Sequence, residues 1–282
     1  MHPELLSLGP IHIRSYGALL AIAFLVGTWL ALKEARRLKL DEDRLVTVIL
    51  VSLVAGVLGA RMLYVIEHID EFRREWAGAL AIWQGGLTLY GGVVAGTLAG
   101  LVTARRLGQP LWVVADALTP SFALGTMFGR IGCFLNGCCY GRPTGQSWGV
   151  IFPPDSYAGL EFGSVPLHPS QLYNAFAGLV LFLGFWGLRT RRWAPGVKFW
   201  SFLATFSLVR IGIDFTRAWE RDARLFTIGD LPITESQLTS VMLALFAVLM
   251  ILRLRRDSGS AIVVPAGSPV RSSEAPTVSP RG

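Results

Sequence analysis

Seven apolar stretches divide this chain, each near the roughly 20 residues that a helix needs to cross a bilayer core. They cover about residues 16–32, 45–66, 84–104, 112–135, 170–188, 197–216 and 237–252. Of the 282 residues, 52% are hydrophobic and only 16% charged, whereas a soluble domain carries about 25% charged residues. The pattern predicts an all-α polytopic membrane protein with seven transmembrane helices. The polar start, Met1 to Ser15, lacks a basic leader and a convincing cleavage site. The first stretch therefore reads as a retained helix and not as a cleaved signal peptide.

Basic residues set the expected orientation. With the N-terminus outside, 14 Lys and Arg fall in inner loops, Lys33, Arg36, Arg37, Arg105 and Arg106 among them, against 7 outside. The positive-inside rule then favours N-out, C-in, and places a long outer loop between the fourth and fifth helices. The net charge of +7 belongs to these helix flanks, which argues against a nucleic-acid partner. Residues 1–256 are expected to form one membrane domain. Residues 257–282, rich in Ser, Pro and Gly, have little to bury and read as a disordered cytoplasmic tail. No inverted repeat of the transporter kind is visible.

With that topology, polar residues gather at one depth. A helix rises about 1.5 Å per residue, which puts Arg61, Arg130 and Arg210 each roughly 7–8 Å inside the outer end of its helix. Tyr90 lies at a similar depth. Arg14 and Tyr16 start the first helix, and His168, Gln171 and Tyr173 open the fifth. A charge at membrane depth persists mainly where it faces the protein interior and has a partner or a task. Three guanidinium groups near the outer leaflet suit a phosphate, which they grip through paired hydrogen bonds. Asp214, four residues after Arg210, shares its helical face and is placed to hold one guanidinium. Gly91 and Gly92 beside Tyr90 leave room for a lipid or a peptide, whereas Gly96 and Gly100 read as helix packing.

The ordered series of motifs resembles the prolipoprotein diacylglyceryl transferase family. The matching pieces are Arg14-Ser15-Tyr16-Gly17, Gly59-Ala60-Arg61, Trp83-Gln84-Gly85-Gly86 and Tyr90-Gly91-Gly92. Asp116 with Pro120 follows, then the Gly129–Gly141 signature, His168-Pro169-Ser170-Gln171-Leu172-Tyr173, and Arg210 with Asp214 and Arg217. The resemblance runs from about Ile11 to Arg256. It implies an enzyme of the bacterial inner membrane, acting near the outer leaflet without a cofactor. Its substrates would be phosphatidylglycerol and the lipobox cysteine of precursor lipoproteins, with glycerol phosphate released. Nothing demands a partner subunit, so a monomer is expected.

By position, the resemblance implies that Arg130 contacts the headgroup phosphate and that Arg210 clamps lipid or leaving group. Arg61 would bind the same headgroup, and Tyr16 and Asn136 would bond the glycerol or order the signature loop. His168 reads as a base or as a helix-entry residue bonded to a carbonyl. Tyr90 stands where many members have His. A phenol with a pKa near 10 is a poor base at neutral pH, so that role requires activation by an arginine. Cys133 and Cys138 replace an Asn and a Glu of the commoner signature.

Cys133, Cys138 and Cys139 are the only cysteines. Their spacing fits no usual zinc pattern, and adjacent cysteines rarely both ligate one tetrahedral ion. In an oxidising compartment Cys133 paired with Cys138 or Cys139 would staple the loop. A thiol–disulfide oxidoreductase is disfavoured because Cys-x-x-Cys is absent. The principal rival is a transporter or lipid-binding membrane protein that uses the same arginines without turnover.

Overall fold

The computed structural model describes residues 4–8, 11–73, 76–81, 85–218, 224–228 and 231–260. Strands β1 (Glu4–Leu8) and β2 (Ile11–Arg14) pair antiparallel and lead into helix α1 (Ser15–Leu38). Helices α2 (Glu42–Glu67), α3 (Ile69–Phe72), α4 (Leu89–Arg106) and α5 (Leu111–Asn136) follow, then α6 (Tyr157–Phe162), α7 (Ser170–Gly187) and α8 (Val197–Asp214). A second antiparallel hairpin, β3 (Arg224–Ile228) and β4 (Leu231–Thr234), leads into α9 (Glu235–Ser260).

A helix stands at each of the seven expected stretches. Five are long and apolar enough to cross a membrane: α1, α2, α5, α9, and α7 with the turn that follows it. Many of their large apolar residues point outward, Leu25 at 67% exposure and Phe176 at 68%, as a lipid-facing surface requires. The other two, α4 and α8, have 18 residues each, about 27 Å of helix. Glycines and two terminal arginines dilute the apolar character of α4, and α8 carries Lys198, Arg210 and Asp214. The third stretch starts later than expected, at Leu89, because Gly85 and Gly86 take left-handed φ values of 91° and 75°. The last helix runs on to Ser260, and residues 261–282 of the expected tail lie outside the described residues.

The hairpins were not expected. The two share one register, with Leu6↔Ile13, Ser7↔His12 and Leu8↔Ile11 matched by Phe226↔Ile233, Thr227↔Pro232 and Ile228↔Leu231. Each hairpin is thus the same device, delivering the chain directly into a long helix.

Close approach of helices depends on small residues. A Cβ on Gly59 would stand 2.3 Å from the Ala95 Cβ, and one on Gly91 would stand 2.3 Å from the Gly59 carbonyl oxygen. Gly92 meets Gly56 and Ala60 at 3.2–3.3 Å in the same way. The space at Gly91 and Gly92, expected to admit substrate, is filled by α2, and packing accounts for both glycines. On α5, the Ser121 hydroxyl donates to the Gly27 carbonyl of α1 at 2.6 Å, and Gly178 lets α7 close on Met127.

At one end of the bundle an ionic clasp joins three helices. Glu34 on α1, 1% exposed, receives Lys198 of α8 at 3.2 Å and Arg37 at 2.8 Å, with Arg189 at 4.0 Å. Lys198 is itself buried. Nearby, the Asp116 carboxylate of α5 accepts from the Gly196 and Phe199 amides, both at 2.8 Å. It thereby satisfies orphan N–H groups at the start of α8.

Candidate active site

The polar cluster lies at the opposite end, where α5 and α8 finish and α7 begins. Helix α5 stops because Gly137 adopts φ 69°, with its amide bonding back into the last turn, the glycine-terminated C-cap of many helices. The chain then pairs with the segment before α7: the Gly141 amide donates to the His168 carbonyl at 2.9 Å, and the His168 amide to the Arg142 carbonyl at 3.0 Å. Arg142 also donates its amide to the Thr216 carbonyl at 2.9 Å. The signature loop is therefore bound to both neighbouring helices.

Over it sits the part of this long loop that follows Ser147. Phe152, Ala158 and Leu167 form a small core with Phe134, Tyr140, Val150 and Phe162. The Ala158 amide donates to the Gly137 carbonyl at 3.2 Å, and the Tyr140 hydroxyl bonds Glu161. These contacts make it a cap packed on the signature loop.

Arg130 and Cys133, three residues apart, share a face of α5. Arg130 is half-buried, and among the described residues no hydrogen bond or ion pair engages it. It lies within electrostatic range of Arg210 and Arg217, and of Tyr16. Arg210 donates from Nη2 to the Ser236 hydroxyl at 3.2 Å and stands 3.7 Å from Asp214. Its buried Nη1 has no partner among the described residues. Asp214, 2% exposed, also accepts from the Thr234 hydroxyl at 2.7 Å and Ser236 at 3.4 Å. Its oxygens are thus occupied, and it anchors α8 to β4 and α9 while holding Arg210.

Among the described residues, three guanidiniums around one carboxylate leave a surplus of positive charge in a partly buried place. Arg217 was read from sequence as an outer-loop charge and as the end of the matching motif series, without a role of its own. It lies three residues beyond the end of α8, where it bridges Gly141 of the signature loop, and its place in that motif series was the available signal.

Other expected site residues take different positions. Arg61, 7% exposed, donates to the carbonyls of Gly78, Ala79, Gly85 and Gly86 at 2.5–2.9 Å. This clasp folds the connection between α2 and α4 and occupies the guanidinium. Arg61→Met is expected to lower stability by about 3 kcal/mol, since several carbonyls lose a charged donor. Thermal unfolding in detergent, with proteolysis of the 73–88 connection, measures it. Tyr90 lies in the first turn of α4 and is 66% exposed. Tyr16 packs its ring against Gly132, where a Cβ would stand 2.9 Å away. Asn136 ends α5 immediately before the Gly137 cap, at the start of the signature loop's turn. His168 Nδ1 lies 3.2 Å from the Tyr173 hydroxyl, which accepts from Trp148 Nε1 at 2.8 Å. Gln171 donates to the Cys138 carbonyl at 2.8 Å. The three cysteines are free, so the expected disulfide staple is not formed.

Helices of membrane-spanning length meeting at a cluster of arginines define a polytopic membrane protein with a positively charged polar site. The chain belongs to the prolipoprotein diacylglyceryl transferase family, which it matches over residues 3–253. It is 34% identical to the phosphatidylglycerol–prolipoprotein diacylglyceryl transferase of Geobacter sulfurreducens over 264 residues, 91% of this chain and 97% of the relative. Identity to the protein of the same name from Mannheimia succiniciproducens is 37% over 266 residues, covering 91% and 94% of the two chains. That from Thermus thermophilus is 33% identical over 278 residues, covering 91% and 99%.

Proposed function

We propose that this chain transfers the diacylglyceryl group of phosphatidylglycerol to the thiol of a lipobox cysteine in precursor lipoproteins. The observation that carries the reading is the arginine cluster: among the described residues, Arg130 makes no hydrogen bond or ion pair, Arg210 has a buried Nη1 that no group bonds, and one carboxylate stands among them. Such a surplus is matched by a phosphodiester, whose oxygens take paired hydrogen bonds from guanidinium.

In the reaction the substrate thiol loses its proton and its sulfur attacks the glycerol carbon that bears the phosphate oxygen. A C–S bond forms, the C–O bond breaks, and glycerol phosphate leaves with the electron pair. The substrate supplies the nucleophile, so the enzyme's task is alignment and stabilisation of charge on the departing phosphate. Arg130 holds the phosphate, and Arg210, fixed by Asp214, stabilises the leaving group. Arg61 acts as a positioning residue through the connection it clasps. Tyr16 and Asn136 line and order the approach from α1 and the signature loop.

His168 serves as a donor in this proposal. Burial, and then the Arg142 guanidinium, hold its imidazole below the ordinary histidine pKa, so it is neutral at neutral pH. With Tyr173 accepting from Trp148, the phenol proton is directed to His168 Nδ1, and the ring proton sits on Nε2.

The proposal places seven helices across the bacterial inner membrane, N-terminus outside, with the site near the outer leaflet and the chain acting as a monomer. The clustering of basic residues in the expected inner loops supports that orientation. The test is incubation of the detergent-purified chain with phosphatidylglycerol and a lipobox peptide. A diacylglyceryl mass gain on the Cys peptide, absent from its Ser counterpart and matched by glycerol phosphate, is expected. Folded chain that binds the lipid yet yields no adduct would favour the lipid-binding reading instead.

A further inference from the structure

We propose that Cys133, Cys138 and Cys139 form a site for a soft monovalent metal ion, Cu(I), held by three thiolates. Their Sγ atoms all lie within 4.8 Å of one another. Sulfurs bound at about 2.3 Å around one ion in a trigonal plane stand roughly 4 Å apart, so the thiols are close to the required spacing. A disulfide would need one pair at about 2.05 Å, and all three cysteines are free.

Backbone geometry is a second, independent observation. Cys139 adopts φ 60°, a left-handed conformation shared, among the described non-glycine residues, only with Lys39 at the end of α1. A side chain in that region costs roughly 1–2 kcal/mol, and such strain persists where the surroundings over-determine it. Here two adjacent cysteines are turned so that both sulfurs approach Cys133. The frame is fixed on each side: the Cys138 amide bonds the Cys133 carbonyl at 3.1 Å, and Gln171 holds the Cys138 carbonyl at 2.8 Å.

Ligand number and charge select the ion. Thiolates favour Cu(I) and zinc, but structural zinc takes four ligands. No His, carboxylate or further Cys joins the group among the described residues. A monovalent ion with three thiolates carries two negative charges, and two guanidiniums, Arg217 and Arg130, act on Cys139. On binding, three S–H bonds break, three protons pass to the buffer and three Cu–S bonds form, with no electron transferred. The three thiols carry the proposal whether or not the transferase reading holds, only Arg130 being common to both, and the titration is therefore run without added phosphatidylglycerol.

The test is a titration of the full-length chain in detergent, reduced and under nitrogen, with Cu(I) against the chelator bathocuproine disulfonate. One Cu(I) per chain is expected to leave the chelator, with X-ray absorption showing three sulfurs at about 2.3 Å. Cys133→Ser, Cys138→Ser and Cys139→Ser, checked for folding by thermal unfolding, should each weaken binding by more than the ~100-fold that loss of a mere supporting partner produces. Independently of any variant, bound Cu(I) should protect all three wild-type thiols from alkylation. Failure to compete with the chelator, retention of Cu(I) by folded Cys138→Ser, unprotected thiols, or one-to-one Zn(II) binding without Cu(I) binding would each overturn the proposal.

Discussion

Arg130→Ala is expected to lower diacylglyceryl transfer at least ~100-fold, the loss typical when one donor to a developing negative charge is removed. It should do so without unfolding the protein. Among the described residues Arg130 holds no hydrogen bond or ion pair, and its guanidinium repels those of Arg210 and Arg217. Its removal relieves that repulsion, so the midpoint of thermal unfolding should stay or rise. Arg130→Lys keeps the charge but loses the planar fork, and should recover only part of the rate. Steady-state transfer and thermal unfolding on the same preparations separate these effects. An alanine variant of full activity, or one inactive because it is unfolded, would defeat the assignment.

Asp214→Ala should act on the fold instead. It strands Arg210 beside Arg130 and Arg217 with no carboxylate between them, and leaves the Thr234 and Ser236 hydroxyls without their acceptor. Breaking a buried pair by removing one partner costs about 3–5 kcal/mol. Asp214→Asn, which keeps an oxygen for Thr234, should cost less. Arg210→Met combined with Asp214→Leu should regain part of the stability, since no charge is then left unpaired. Chemical unfolding in detergent is the measurement; a loss within about 0.5 kcal/mol for Asp214→Ala, the range of an ordinary surface substitution, would remove Asp214 from its anchoring role.

The long helices could be read from the chain because lipid imposes a length and a composition on each. The stretch placed at 45–66 is Glu42–Glu67, and that at 112–135 is Leu111–Asn136. The last helix outran its apolar stretch because Arg253-Leu254-Arg255-Arg256, all good helix formers, carry it on past the apolar residues. Neither hairpin announced itself, since strands of four and five residues show too little alternation. Arg130 and Arg210 stood out as charges in apolar surroundings. Arg61 stood out for the same reason, but its carbonyl partners lie 17–25 residues away, and a backbone carbonyl has no signature in sequence. Glu34 and Lys198 are 164 residues apart, beyond any helical spacing. The convergence of the cysteines depends on the left-handed turn at Cys139, which neither Cys138 nor Tyr140 predicts.

The central claim is that the arginine cluster receives the donor lipid's phosphate. Its most direct test is lipid binding by the purified chain and its Arg130→Ala variant, using short-chain phosphatidylglycerol and phosphatidylcholine in the same detergent and followed by native mass spectrometry. The wild-type chain should retain phosphatidylglycerol in preference to phosphatidylcholine, and the variant should lose that preference. Equal retention of phosphatidylglycerol by both proteins would contradict the claim.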